Sequence, residues 1–337
     1  MKTDQNHPLT GDDPEVERLL QAAGPRLQPP AEAMAEVRAA VATEWRASVQ
    51  GRGARAARSR GPWLAAAASV AAVGAVAWLL APRLQGPADI GTVARVDGGA
   101  EVRHGDDGPW RQLGAAAVLR TGDEVRTSAS GRLAVRRPDG LELRLDAGTA
   151  LALNDAHEAR LDGGRVYVDS GIDGARGDAL VIATPLGRIR HLGTQYSVAL
   201  GRERIEVRVR EGSVAIDGRG LPVIARAGEA LSLGRDQLER TAIESHGAGW
   251  TWAESMAPEF AIEGRSLDEF LGWVARETGR QLVYSSPGAA RAAESTELKG
   301  SVSGLAPEAA VAAVLATKPA LAYRFAGAQL RIDLARD

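Results

Sequence analysis

At 337 residues the chain is long enough for two or three modest domains, and its 45% apolar and 25% charged residues are those of folded protein rather than disordered chain. The net charge is -2, so no global field draws in nucleic acid. Cysteine is absent, which excludes disulfides, thiolate catalysis and cysteine-ligated metals.

The first 60 residues predict a short helical segment. DDPEVERLLQAA places Leu19, Leu20 and Ala23 on one face behind an acidic start, and Pro29-Pro30 ends that run. A second amphipathic helix follows, with Met34, Val37, Val41 and Trp45 at three- and four-residue spacing. Two such helices bury little surface on each other. They read either as a tail lying on lipid or as a segment that lays its apolar stripe into a partner's groove.

From Trp45 to Ala88 there is no acid, and Arg46, Arg52, Arg55, Arg58 and Arg60 precede the uncharged run WLAAAASVAAVGAVAWLLA. Its length is close to the roughly 20 residues a helix needs to cross a bilayer. Trp63 and Trp78 stand near its ends, where amphipathic rings suit the interface. The sequence therefore predicts a transmembrane helix over 61–82, with Trp63, Trp78, Arg58 and Arg60 as anchors. The arginine cluster puts the N-terminus in the cytoplasm and the rest outside. The competing readings are a buried Ala-rich helix and, for GRGARAARSR, a nucleic-acid patch. No aromatic is interleaved in that patch, so direct nucleic-acid binding is not expected.

Over 89–245 the texture is all-β. RVDGGAEVRH, LDGGRVYVDSG and IEVRVREGSVAIDG alternate apolar with polar residues and are punctuated by glycine. In RIEVRVREGSV the spacing sends Ile205, Val207 and Val209 inward and Glu206, Arg208 and Arg210 to water. Helix candidates are nearly lacking, leaving a solenoid-like stack or a sandwich. Over 257–335 a small α+β domain is expected, in the order β-α-β-β-α-β-β. FAIEG, QLVYS and the TELKGSVSG region read as strands. RSLDEFLGWVARETG reads as a helix with Leu267, Phe270, Leu271 and Val274 on one face, a Ser266–Glu269 capping box and a Gly279 stop. LAPEAAVAAVLATK is a second helix, and LAYRFAGAQLRIDL closes as a hairpin.

VIATPLGRIRHLGTQYSV followed by IEVRVREGSVAI resembles the FecR family of periplasmic signalling domains. The pattern is an apolar strand, Thr-Pro, a short basic turn, Gly-Thr, an amide, an aromatic and then Val, followed by a Val-rich strand and Glu-Gly. Thr184, Pro185, Gly193, Thr194, Tyr196, Val198 and Gly212 carry it. SLDEFLGWVARETGRQLVYS with LAPEAAVAAVLA is similar to the short N-terminal (STN) domain of secretins and TonB-dependent receptors. The resemblance implies an anti-sigma regulator at the bacterial inner membrane, with a single pass and a periplasmic C-terminus. Its cytoplasmic N-terminus would hold an extracytoplasmic-function sigma factor. Its exported part would read an outer-membrane TonB-dependent transducer or another periplasmic protein, with release by proteolysis. The family's tryptophan-containing N-terminal signature is not recognisable, so sigma binding by Met34, Val37, Val41 and Trp45 follows from architecture alone. The alternative is a membrane-anchored periplasmic module that binds a cell-envelope component and has no sigma partner.

Among chemical readings, a Ser-His-Asp triad could still assemble in space, but no motif points to one. His7, His104, His157, His191 and His246 are never three or four residues apart, so no helical metal pair exists. No Gly-x-Ser-x-Gly elbow and no glycine-rich phosphate cradle occur, and neither an enzyme nor a cofactor is expected. Within TPLGRIRHLGTQYSV, Ile189 and Tyr196 both read as inward, yet they are seven apart, which breaks a period of two. One residue must be absorbed between them. A bulge at Gly193, within an irregularity over His191 to Gly193, is the expected place.

Overall fold

The computed structural model describes residues 87–337 except 172–179, 192, 194, 219–221, 236 and 336–337. Met34, Val37, Val41, Trp45 and the anchors Arg58, Arg60, Trp63 and Trp78 lie outside the described residues. Arg83–Asp337 forms a single unit in which a β sandwich carries a small α+β domain.

Strands are numbered in chain order. The first sheet runs β4 (Val118–Arg120), β1 (Asp89–Asp97), β6 (Arg132–Arg136), β7 (Glu142–Leu145), β9 (Glu158–Asp169), β12 (Gln195–Leu200), β13 (Arg204–Glu211), β16 (Glu229–Gly234) and β17 (Leu238–Ala242). The second runs β3 (Arg111–Gln112), β2 (Ala100–His104), β5 (Asp123–Thr127), β8 (Ala150–Leu153), β9, β10 (Val181–Thr184), β11 (Gly187–His191), β14 (Ser213–Asp217) and β15 (Val223–Arg226). All pairings within these two sheets are antiparallel except β9 with β10. One apolar core lies between the layers, drawing Val125, Leu151 and Leu161 from one sheet and Leu143, Val166 and Val207 from the other. Of the two expected β architectures, this is the sandwich.

β9 serves both layers because its parity breaks. Leu161 and Val166 are both fully buried in the core though five residues apart. Gly163 and Gly164 absorb the odd residue. Gly164 has φ +86°, and a Cβ there would lie 2.5 Å from the Thr149 Cα, so the crossover demands glycine.

After β17 the chain forms a strap over 243–257 containing the four-residue helix α1 (Thr251–Glu254). Then come α2 (Leu267–Glu277), β18 (Gln281–Tyr284), α3 (Pro287–Ser295), α4 (Pro307–Ala316), β19 (Leu321–Ala326) and β20 (Gln329–Leu334). The sheet order is β18-β20-β19. α2 begins with the capping box: Glu269 N–H donates to Ser266 Oγ at 3.2 Å, and Ser266 N–H donates to the Glu269 carboxylate at 3.0 Å. Leu267, Phe270, Leu271 and Val274 are fully buried in a second core with Val311, Leu330 and Ile332.

Four expectations need correction. The first is the transmembrane helix as an element of the fold. Among the described residues no helix is long and apolar enough to cross a membrane. The longest, α2 with 11 residues, is about 16 Å long, against roughly 30 Å of hydrocarbon. The described protein is mainly β. Second, FAIEG forms no strand; Ile262 enters the second core from irregular chain. Third, the TELKGSVSG region makes only an isolated bridge, Ser266 to Glu297. Before it stands the unforeseen α3, started by Ser286, whose side chain accepts from Ala289 N–H, and by Pro287 in the first turn. Fourth, Arg210 does not face water: it is 4% exposed.

Candidate functional site

The stretch that carries the family motif is a corner. Thr184 Oγ1 accepts from Leu186 N–H at 3.2 Å and Gly187 N–H at 3.1 Å and donates to the Gly187 carbonyl at 2.8 Å. That closes the β10–β11 turn, with Pro185 exposed at its tip. Ile189 is fully buried, while Arg188 pairs with Glu158 and Arg190 with Asp217 at 2.6 Å. β11 belongs to the second sheet and β12 to the first. The predicted irregularity is therefore the step from one layer to the other, with Gly193 at φ +80°, rather than a bulge inside one strand. Tyr196 and Val198 are fully buried and lie opposite Val209 and Val207. Burial pushes the Tyr196 phenol well above its ordinary range. Gly212, at φ +74°, turns β13 into β14. Thr194 and the His191 side chain lie outside the described residues. The described residues of the motif shape the sandwich: they close a turn, step between the layers and fill the core.

His104 Nδ1 lies 2.8 Å from the Asp123 carboxylate, and Asp123 also accepts from Arg120 N–H. Among the described residues no group of three or more His, Asp or Glu side chains is placed to hold a metal.

A dense polar cluster that alternation alone did not reveal lies on the outer face of the first sheet. In β7, Leu143 and Leu145 enter the core, so Glu142 and Arg144 emerge on the opposite face. That face is covered by the strap and α2, and Arg144 is fully buried. Its guanidinium donates to Glu142 at 2.8 Å, to Glu277 at 2.8 Å and to the Ala253 carbonyl at 3.0 Å. Arg210 sits where the β12–β13 register slips, Gln195 facing Glu211 and Tyr196 facing Val209. It donates to Ser245 O at 2.6 Å, Glu277 O at 3.0 Å and Glu254 at 2.5 Å. Arg276 of α2 pairs with Asp169 of β9 and reaches Glu211 at 3.4 Å.

Aromatic rings complete the junction. Tyr167 of β9 meets Trp250 and Trp252 edge-on at 6.1 and 6.4 Å. Arg210 stands 4.6 Å from the Trp250 ring centre and Arg165 stands 4.3 Å from that of Trp252. Burial pushes the Glu277 and Glu254 carboxyls above the ordinary range, opposed by Arg144 and Arg210 respectively. Every carboxylate here is answered by an arginine. The arrangement can hold two domains together or release them; it presents no nucleophile beside a base.

Residues 123–215, from the start of β5 into β14, match the FecR protein family. Two crystal structures of a protein from Parabacteroides distasonis ATCC 8503, described as a "putative anti-sigma factor", are similar to this chain. One is 15% identical, covering 63% of this chain and 99% of its own; the other is 16% identical, covering 64% and 99%. Each has a TM-score of 0.34. No curated protein matches the sequence.

Proposed function

We propose that this chain is an anti-sigma regulator that works by protein–protein contact. The observation that carries the reading is the FecR match over residues 123–215, which contains the motif-bearing strands β10 to β13. The partner is an extracytoplasmic-function sigma factor, contacted by Met34, Val37, Val41 and Trp45. An apolar stripe at three- and four-residue spacing suits a groove on such a partner. On this reading the protein acts at the bacterial inner membrane with the described domains on the periplasmic side. There the α+β domain, which we read as STN-like, receives an outer-membrane transducer or another periplasmic protein. Regulated proteolysis would then free the sigma factor.

Co-purification tests the sigma contact. The full chain, expressed in its host, should bring down one alternative sigma factor. Val41→Asp together with Trp45→Asp should abolish that capture. Capture unchanged by the double substitution removes those residues from the contact. Capture of no sigma factor leaves the alternative, a module that binds an envelope component. Reporter fusions at Pro62 and Ala88 read the placement: the same compartment at both positions contradicts it.

A further inference from the structure

The plane between the sandwich and the α+β domain differs in kind from the two cores beside it. Each core is aliphatic and aromatic throughout. The plane instead holds the side chains of Arg144, Arg210, Arg276, Glu142, Glu254, Glu277 and Asp169, all of them buried or nearly so. Its apolar part is a separate cluster of Tyr167, Trp250, Trp252 and Ala253, with Ile243 packed against them, interleaved with the arginines rather than continuous with either core. It is also incompletely satisfied. The Tyr167 hydroxyl, the Trp252 indole N–H and the Arg208 Nε are buried without a hydrogen-bond partner among the described residues.

These facts bear on which surface of the molecule parts first. Separating an aliphatic core exposes apolar area to water with no compensation. Separating a buried ionic plane returns each charge to water, and that hydration offsets much of the lost pairing. The three unpartnered polar atoms gain hydrogen bonds on opening as well. We infer that this junction is a latch: the α+β domain and its strap undock from the outer face of the sandwich as a unit while both cores stay folded. In the docked state the strap covers the outward faces of β7, β9 and β13. In the undocked state it offers Trp250, Trp252 and the residues beneath them to proteins or proteases. The inference concerns the described unit alone and stands apart from the identity of any sigma factor.

α1 makes the docked state measurable. A helix of four residues does not persist in isolation, so the amides of Ala253, Glu254, Ser255, Met256 and Ala257, which bond back to Trp250, Thr251, Ala253 and Glu254, are protected only while the strap is docked. Hydrogen exchange followed by mass spectrometry on the purified full chain reads them. In the unsubstituted protein the 250–257 amides should open together, more often than those of β9, β12 or β20, and with a weaker urea dependence than global unfolding. Arg144→Met destabilises the docked state from which every opening starts, so it should speed their exchange about a hundredfold or more, while their urea dependence stays weaker than that of β9, β12 and β20. Two outcomes overturn the latch: exchange of 250–257 with the same rate and urea slope as the cores, or exchange of 250–257 that is no faster in the variant. Should Arg144→Met fail to fold, the rate and urea slope of 250–257 in the unsubstituted protein alone support or overturn the latch.

Discussion

Arg144 on β7 and Glu277 at the end of α2 are 133 residues apart in sequence and 2.8 Å apart in the fold, both almost fully removed from water. Removing the cation alone strands Glu277 and Glu142 in a low-dielectric junction. Arg144→Met should therefore cost about 3–5 kcal/mol of stability. Adding Glu277→Leu to it should recover part of that loss, a non-additivity of about 1–3 kcal/mol. Urea unfolding of the two single variants and the double variant measures both quantities.

The pH dependence of stability carries a defined sign. Burial raises the folded-state Glu277 carboxyl above its ordinary value of 4.5 in spite of Arg144. A group so raised binds its proton in the folded chain before it does in the unfolded one. Its stabilising contribution is complete below the unfolded value and is lost as pH rises through the folded value. The stability of the unsubstituted protein relative to Glu277→Gln should thus fall as pH rises from about 4.5 towards neutrality. Asp146 has the opposite slope. Burial alone would raise its carboxyl, but hydrogen bonds from Arg165, the Ala147 backbone and Arg132 together hold it low. Urea midpoints across that range, taken for both proteins, separate the Glu277 contribution; a level or rising difference contradicts it.

Gly164→Ala tests the crossover of β9. An added methyl would meet the Thr149 Cα at 2.5 Å and the Gly148 carbonyl at 2.8 Å, on a backbone held at φ +86°. The strained conformation alone costs about 1–3 kcal/mol. Gly163→Ala meets nothing within 4 Å and serves as the control. Thermal melts should show a large loss for the first and little for the second; equal losses would remove the steric argument.

Thr184→Ala should cost about 1 kcal/mol, because it leaves Leu186 and Gly187 N–H without their acceptor in the β10–β11 turn. Thr184→Ser keeps the oxygen and should stay near the unsubstituted value. Denaturant midpoints of the pair distinguish a turn-closing hydroxyl from a methyl that packs.

The all-β character of 89–245 was legible because its signal is local, whereas the sandwich and the solenoid-like stack share that signal. Ile205, Val207 and Val209 alternate with charged residues, and a period of two turns that pattern into a buried face. The seven-residue gap from Ile189 to Tyr196 likewise located the step between layers, since parity cannot be kept across an odd count. Other features depend on what covers a face. Arg208 and Arg210 follow the same alternation, yet the strap lies over them, and Arg210 is buried where its strand slips register. The nearest sequence signal was the tryptophan pair in GAGWTWAES, just beyond the last strand of the sandwich. Two large rings so placed need a surface to cover. α3 was missed for a different reason: the apolar period of PGAARAAES is carried by alanine alone, a weak signal, and Ser286 with Pro287 starts the helix that Ala289 and Ala293 seat in the core.

Regulation of a sigma factor is read most directly in transcripts. Transcription start sites mapped in the host with the gene intact and deleted should differ at one class of promoters. That difference should vanish when the sigma factor that co-purifies with the chain is deleted as well. Start-site maps that do not change with loss of the chain, or that change without regard to promoter class, would contradict the proposed function.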